Sequence, residues 1–318
     1  MTRFLSAAEF IAANGINGAA WTAAESLEYT RWLARSHYEN FGLVSWLLPR
    51  RLHQDFFNVY SFCRWADDLG DEMGDPARSL DLLNWWQQEL DAVYAGQARH
   101  PVYVALRRTI EKHDIPEQPF ADLIRAFVQD QTVTRYATYA DLLGYCRYSA
   151  NPVGRLVLHL CGYTDDERRR LSDATCTALQ LANFWQDVRR DWDMDRVYIP
   201  ADRMVSREYS VELLEEDLKA RAASPRFRSV MRELVDDTQS LFLKGLPLPR
   251  MVNRHLAVDL ELFSRGGMAI LKKIRRQDYD TIRKRPKLGK LRRLTLLMSV
   301  VTHQLFVSSG SSGEARHA

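Results

Sequence analysis

"LANFWQDVRRDWDMDRVYIP" runs from Leu181 to Pro200. Four aspartates, Asp187, Asp191, Asp193 and Asp195, stand there among Phe184, Trp185, Trp192 and Tyr198. Apolar residues recur at helical spacing, so the stretch reads as the end of a long helix. Residues four apart share a helix face, which aligns Asn183, Asp187 and Asp191 over two turns, with Gln180 nearby at i−3. An ordinary solvated face has no need of the aromatics, and an ordinary core has no room for the carboxylates.

The rest of the chain has the same helical character. Of 318 residues, 46% are hydrophobic, enough for a sizeable core, while Gly (15) and Pro (11) are scarce. Long uninterrupted elements follow from that composition, and turn-rich sandwiches do not. Thr22-Ala-Ala-Glu25 and Thr164-Asp-Asp-Glu167 read as capping boxes, and Ser224-Pro225 as an N-cap with proline at the first helical position. The pattern predicts helices near 22–39, 50–70, 78–95, 101–113, 118–131, 138–160, 165–193, 211–222, 225–244, 250–279 and 288–307. No strand–helix alternation, solenoid repeat or flexible internal linker appears. The expectation is one all-α domain over 1–307, with a disordered tail from Ser308.

Cys63, Cys146, Cys161 and Cys176 form no C-x-x-C, which fits buried thiols in a reduced cytosol. The N-terminus has no continuous apolar h-region, and no window reaches 18 apolar residues, so neither a signal peptide nor a membrane span is expected. A net charge of +3 is too small to argue for nucleic acid. The basic stretch from Lys272 to Arg293 reads as a solvated helix or a surface approaching anionic lipid. "LTLLMSVVTHQLF" (Leu294 to Phe306) is too short to cross a bilayer and reads as core, or as a segment lying at an interface.

A second acidic cluster, "CRWADDLGDEMGD" (Cys63 to Asp75), ends another predicted helix. Helix C-termini already carry negative partial charge, and a carboxylate there is disfavoured by roughly 0.3–1 kcal/mol. Like charges four apart, Asp67/Asp71 and Asp187/Asp191, cost about 0.2–0.5 kcal/mol more per pair. Two such clusters, each with aromatics beside it, suggest a missing cation. Hard oxygen ligands suit Mg²⁺, which keeps waters and is completed by substrate phosphates. Arg64, Arg189, Arg190 and Arg196 then serve as donors to a diphosphate, or form local salt bridges. Phe41, Tyr60, Phe62, Tyr145, Phe184 and Trp185 offer π-faces to a carbocation, or are plain core.

These residues resemble the squalene/phytoene synthase family of head-to-head isoprenoid enzymes. The family's first aspartate motif matches Asp67 to Asp71, preceded by Arg64. Its second matches Asp187 to Asp191, preceded by Gln180 and Asn183 and followed by Arg196 and Tyr198. "YCRYSANPVGRLVL" (Tyr145 to Leu158) matches the Tyr-rich helix with a small-residue bend. The resemblance runs from about Ser36 to Pro286. It implies an isoprenoid-synthase-type helical bundle around a central cavity. It also implies that Asp67, Asp71, Asn183, Asp187 and Asp191 hold Mg²⁺. The four aspartates and Tyr145 are then catalytic, and His37, Tyr38, Phe41, Arg64, Gln180, Asn183, Arg196 and Tyr198 line the substrate.

"SHYENF" (Ser36 to Phe41), "SANPVGR" (Ser149 to Arg155) and "NFWQD" (Asn183 to Asp187) resemble the hydroxysqualene-forming branch. Condensing members usually have serines where this chain has Tyr38 and Asn40, and Arg where it has Gln186. The implied reaction takes presqualene diphosphate and water to hydroxysqualene and diphosphate. The alternatives are a squalene synthase or a presqualene diphosphate synthase joining two farnesyl diphosphates, and, more remotely, a non-catalytic helical scaffold. "SRGGMAI" (Ser264 to Ile270) lies within a predicted helix and is no dinucleotide fingerprint. A cytoplasmic enzyme is implied, with peripheral contact to the inner membrane face and to other enzymes of the squalene pathway left open.

Overall fold

The computed structural model describes residues 4–16, 21–36 and 49–289. Helices α1 (Ala7–Asn14), α2 (Ala23–Ser36), α3 (His53–Asp71), α4 (Pro76–Tyr94), α5 (Pro101–His113) and α6 (Gln118–Asp130) come first. Then follow α7 (Tyr139–Ser149), α8 (Asn151–Leu160), α9 (Asp166–Asp193), α10 (Ala201–Val205), α11 (Val211–Ala220), α12 (Pro225–Gly245) and α13 (Arg254–Arg276). Among the described residues there is no strand, so the fold is all-α as expected. The chain divides into two compact units, Met1–Val133 with Arg147–Asp165, and Thr134–Cys146 with Asp166–Ala318. No described helix is long and apolar enough to cross a membrane.

Most starts are those the sequence marks. Thr22 Oγ1 donates to Glu25 Oε2 at 2.6 Å, and the Glu25 amide donates back to Thr22 Oγ1 at 3.3 Å. Ser224 caps α12, accepting from the Phe227 amide at 3.2 Å. A third capping box, Ser6 with Glu9, starts α1, which the sequence reading passed over. The helix expected over 138–160 is two, α7 and α8. Pro152 has no N–H to continue the helix ladder and sits in the first turn of α8, so the chain breaks at Ala150 and restarts. The helix expected over 250–279 starts only at Arg254, capped by Asn253, and ends at Arg276. Asp278 and Tyr279 then take left-handed backbone (φ 51° and 61°), so the chain turns away there. The predicted helix at 288–307 and the tail lie outside the described residues, apart from Leu288 and Gly289.

In the first unit, α3 carries an aromatic core. Trp65 stacks on Trp86 with centroids 5.2 Å apart, and Phe62 meets Phe120 edge-on at 4.9 Å. His100 sits 4.3 Å from Trp65 in that cage. Burial lowers its pKa to about 3, so the imidazole stays neutral. The buried amide of Asn58 donates to the Ala105 carbonyl and to Thr109, and its oxygen accepts from Thr30. A buried polar group in an apolar layer is tolerable when satisfied in this way.

In the second unit, α9 packs on α12 and α13. Trp185, fully buried, donates its indole N–H to Thr238 Oγ1 at 2.8 Å. Two glycines permit the close packing. A Cβ on Gly245 would stand 2.0 Å from Thr175 Oγ1, and one on Gly267 would stand 2.2 Å from Phe242 Cζ. All four cysteines are free thiols. Burial pushes the Cys146 thiol up to about 12.

Candidate active site

The second unit gathers most of the predicted site. Gln180, Asn183, Asp187 and Asp191 occupy one face of α9, as their spacing requires. Asp191 is raised to about 7, first by burial and then by the neighbouring Asp187 charge, with Arg196, Arg190 and Arg285 opposing. Its Oδ2 is buried and has no hydrogen-bond partner among the described residues. Asp187 is held by the guanidinium of Arg285, whose Nη2 donates to Oδ2 at 2.8 Å and whose Nε donates to Oδ1. With its amide oxygen turned toward that guanidinium, Gln186 accepts from Arg285 Nη1 at 3.1 Å. Arg190 stands 4.0 Å from Asp187.

The turn after α9 builds the aromatic wall. Asp195 takes left-handed backbone (φ 56°), and the Arg196 amide donates back to the Asp191 carbonyl at 2.8 Å. The reversed chain then bonds to the segment before α7. The Val197 amide donates to the Thr134 carbonyl, and the Ala201 amide to the Tyr136 carbonyl. That pairing sets Tyr198 against Phe184, parallel at 3.7 Å and 9°. Tyr136 stacks on Tyr198 at 5.9 Å, and Tyr145 lies 6.1 Å from Tyr198. The wall therefore stands directly beside the acidic face, because Phe184 and Asp187 are neighbours on α9.

Two cavities adjoin that face. One of about 380 Å³ is lined by Gln186, Asp187 and five arginines, Arg189, Arg190, Arg221, Arg283 and Arg285. The other, about 540 Å³, is lined by the polar residues Asn183, Gln186, Arg285 and Lys287 together with Leu179, Ala182, Leu262, Phe263 and Ile270. One is a basic basin and the other a half-apolar chamber, and both border the Asn183–Asp187 turn.

The first unit holds the other cluster. Arg64 pairs with Asp67 at 3.3 Å, with Glu72 at 2.9 Å, and with Asp68. Asp68 is buried and raised to about 7, burial being the largest cause and Arg64 opposing it. Asp67 is half-exposed and Asp71, at the last turn of α3, is exposed. Tyr60, one turn before Arg64, is raised by burial.

Several expectations change. Phe62 and Trp185 are core, not lining. Arg189, besides lining the basic basin, donates to two backbone carbonyls, Ile282 at 3.2 Å and Leu218 at 2.8 Å, and so fastens two segments. Within its described part, to Gly289, the basic stretch from Lys272 is not one solvated helix, because α13 ends at Arg276 and Arg285 returns to Asp187. Arg285, Lys287 and Tyr136 are missed by sequence reading. Only the helix-ending pair at 278–279 hints that the later arginines fold back, and nothing local marks Tyr136. His37, Tyr38 and Phe41 lie outside the described residues.

The residues fit a divalent metal. The donors are hard oxygens, one carboxylate oxygen is buried and unpartnered, and a guanidinium already lies on its neighbour. Among the described residues, no three His, Cys, Asp or Glu side chains converge as a closed cage. That fits an ion held by one or two carboxylates and completed by phosphate and water.

An all-α fold with this chemistry places the chain among the isoprenoid synthases. A family model described as squalene/phytoene synthase matches residues 34–292, and the chain belongs to that family. Its members process prenyl diphosphates with a divalent metal. A hydroxysqualene synthase of Rhodopseudomonas palustris is 32% identical over 243 residues, covering 76% of this chain and 80% of the relative. A phytoene synthase of Thermus thermophilus is 31% identical over 264 residues, covering 83% and 88%. The crystal structure of squalene synthase HpnC from Alicyclobacillus acidocaldarius superposes with TM-score 0.75 at 46% identity, covering 81% of this chain and 95% of that one.

Proposed function

We propose that this enzyme converts presqualene diphosphate and water into hydroxysqualene and diphosphate, with Mg²⁺ as its metal. The observation that carries the reading is the adjacency, on α9, of the Asn183–Asp187–Asp191 face and the Phe184–Tyr198–Tyr145–Tyr136 wall. One side suits a departing diphosphate, and the other suits the cation it leaves behind. The similarity to a hydroxysqualene synthase supports the choice within the family. The similarity to a phytoene synthase is nearly as high, so the choice rests on reaction products.

The residues divide the work. Asp67 and Asp71 on α3, and Asn183, Asp187 and Asp191 on α9, would hold Mg²⁺ ions, which when bound neutralise charge developing on the leaving group. Arg64 and Arg196 orient the diphosphate by charge-assisted hydrogen bonds. Gln180 borders the same face one turn earlier. Tyr145 and Tyr198 shelter the rearranging cation from early capture. His37, Tyr38 and Phe41 line the substrate in the same reading.

The test is product analysis with Mg²⁺. Farnesyl diphosphate alone is given to one sample, and presqualene diphosphate in ¹⁸O-water to another, with and without NADPH. The expected product is ¹⁸O-labelled hydroxysqualene without need of NADPH. Efficient presqualene diphosphate formation from farnesyl diphosphate would move the chain to the condensing branch. Squalene formed only with NADPH, and no labelled alcohol, would make it a reducing squalene synthase.

A further inference from the structure

The basin of about 380 Å³ beside α9 lies within the second unit and sets five guanidinium groups around one carboxylate, Asp187. Arg285 already neutralises that carboxylate. Arg190 stands 4.0 Å from it, and Arg189 donates to two neutral carbonyls. Arg221 and Arg283 are exposed, and neither pairs with a described carboxylate. Most of the positive charge facing this cavity is therefore uncompensated. A cleft lined by one sign of charge repels itself and concentrates ions of the other sign.

The arginines are held in place. Arg189 clasps the Leu218 carbonyl, three residues before Arg221, and the Ile282 carbonyl, one residue before Arg283. One guanidinium thus fixes the spacing of the two segments that carry the unpaired cations, and a site set in advance spends less on ordering when its ligand arrives. Arg221 takes left-handed backbone (φ 54°) at the end of α11, where glycine is the usual residue. A cation at a helix C-terminus is mildly favourable. That accounts for Arg221 alone, and not for Arg190 and Arg283 meeting it at one cavity.

The lining also selects the ligand. Guanidinium forks match phosphate oxygens. Among the described residues Ile282 is the one apolar side chain of the basin, so a prenyl tail has nothing to rest on there. Of the proposed metal-binding face only Asp187 lines it, and Arg196 does not. Gln186 and Arg285 line both the basin and the half-apolar chamber, so the two cavities adjoin at that pair. We propose that the basin receives the diphosphate once it has left the prenyl chain, and holds it apart from the cation until it reaches solvent. No bond is made or broken in the basin. The carbon–oxygen bond has already broken, with its electron pair on the diphosphate oxygen, and separation keeps that oxygen from closing the bond again. The proposal goes beyond the hydroxysqualene reading, because it requires only that a prenyl diphosphate ionises.

The test compares the parent enzyme with the double variant Arg221→Gln, Arg283→Gln. Calorimetric titration with inorganic diphosphate, without Mg²⁺, should show affinity falling by at least about tenfold. The melting temperature should not change, because both side chains are exposed. With Mg²⁺ and presqualene diphosphate, KM should stay within about threefold of the parent. An ¹⁸O label in the bridging position should meanwhile scramble faster into the other oxygens of recovered substrate, because the lingering diphosphate recombines. Vesicles of phosphatidylglycerol should bind both proteins alike. Equal diphosphate affinity in parent and variant overturns the proposal. So does a KM that rises in step with the lost affinity, which would make the basin part of the substrate's own site. Loss of vesicle binding with diphosphate affinity kept would assign the arginines to a lipid headgroup and overturn it too. A lowered melting temperature in both this variant and the charge-keeping Arg221→Lys, Arg283→Lys pair would mark a structural role instead. A parent enzyme that leaves presqualene diphosphate unreacted fails the reaction reading, and the Mg²⁺-free titration still decides the basin.

Discussion

The two acidic clusters look alike in sequence and are built differently. On α3, the cation beside Asp67 comes from the same helix, one turn earlier, and Arg64 serves three carboxylates within eight residues. On α9, the cation on Asp187 comes from Arg285, 98 residues further along the chain. The first cluster needs only a helix to exist. The second needs the end of α13, the left-handed turn at Asp278–Tyr279 and the aromatic wall. A local cluster forms as soon as its helix does, whereas an assembled one exists only in the native state.

The largest effect should come from removing charge. Asp187→Asn should lower turnover by at least about a hundredfold, because a lost metal ligand exposes the leaving group's charge. Asp67→Asn should do the same if the local cluster also holds metal. Near-normal activity in Asp67→Asn beside a dead Asp187→Asn would reduce the first cluster to a solvated helix end, and near-normal activity in both would remove the metal assignment. Steady-state diphosphate release decides.

Arg64→Lys comes next. The lysine keeps the charge but loses the planar fork that spans several acceptors. KM should rise roughly tenfold, worth about 1.4 kcal/mol, with little change in melting temperature. Unchanged KM with a lower melting temperature would show that Arg64 only braces α3.

Tyr198→Leu probes the assembled side. It removes a stacked pair worth about 0.5–1.5 kcal/mol beyond area burial. It should also divert products toward early-quenched alcohols, while Tyr198→Phe keeps the parent pattern. Product ratios by gas chromatography measure this.

The smallest effect is in pH dependence, and it has opposite signs in the two units. His100 is depressed to about 3 from 6.5, with burial as the cause. The unfolded chain therefore binds its proton first, and this contribution is present above about 6.5 and lost as pH falls toward 3. Asp259 is raised to about 8 from 3.8 by burial. Its contribution is present below about 4 and lost as pH rises toward 8. His100→Asn, which keeps an N-cap acceptor for α5, should flatten the acid limb of a denaturation series. Asp259→Asn should flatten the fall in stability between about pH 4 and pH 8. Identical limbs in parent and variants would count against both.

The same contrast explains what could be read beforehand. Helix faces and caps are encoded within a turn or two, so Asn183, Asp187 and Asp191 are legible on one stripe, as is the Ser224-Pro225 start. Pro152 marks the α7–α8 break, although the apolar pattern runs on through it. Arg285 and Tyr136 were not legible. Each reaches its place through a chain reversal whose pairing, 278–279 in one case and 134–137 with 196–202 in the other, depends on contacts distant in sequence. Asp259 was unremarkable as a letter, because an unsatisfied carboxyl can be recognised only when its surroundings are known.

Cys146 carries a practical consequence. Alkylating reagents attack the thiolate, and a thiol pushed up to about 12 by burial hardly supplies one near neutrality. Its labelling must wait until α7 opens to solvent. Mass-spectrometric uptake of iodoacetamide at Cys146 therefore keeps time for local opening beside the aromatic wall, without any inserted probe. A substrate analogue that tightens the wall should slow that clock, even where it leaves the melting temperature of the whole chain unmoved.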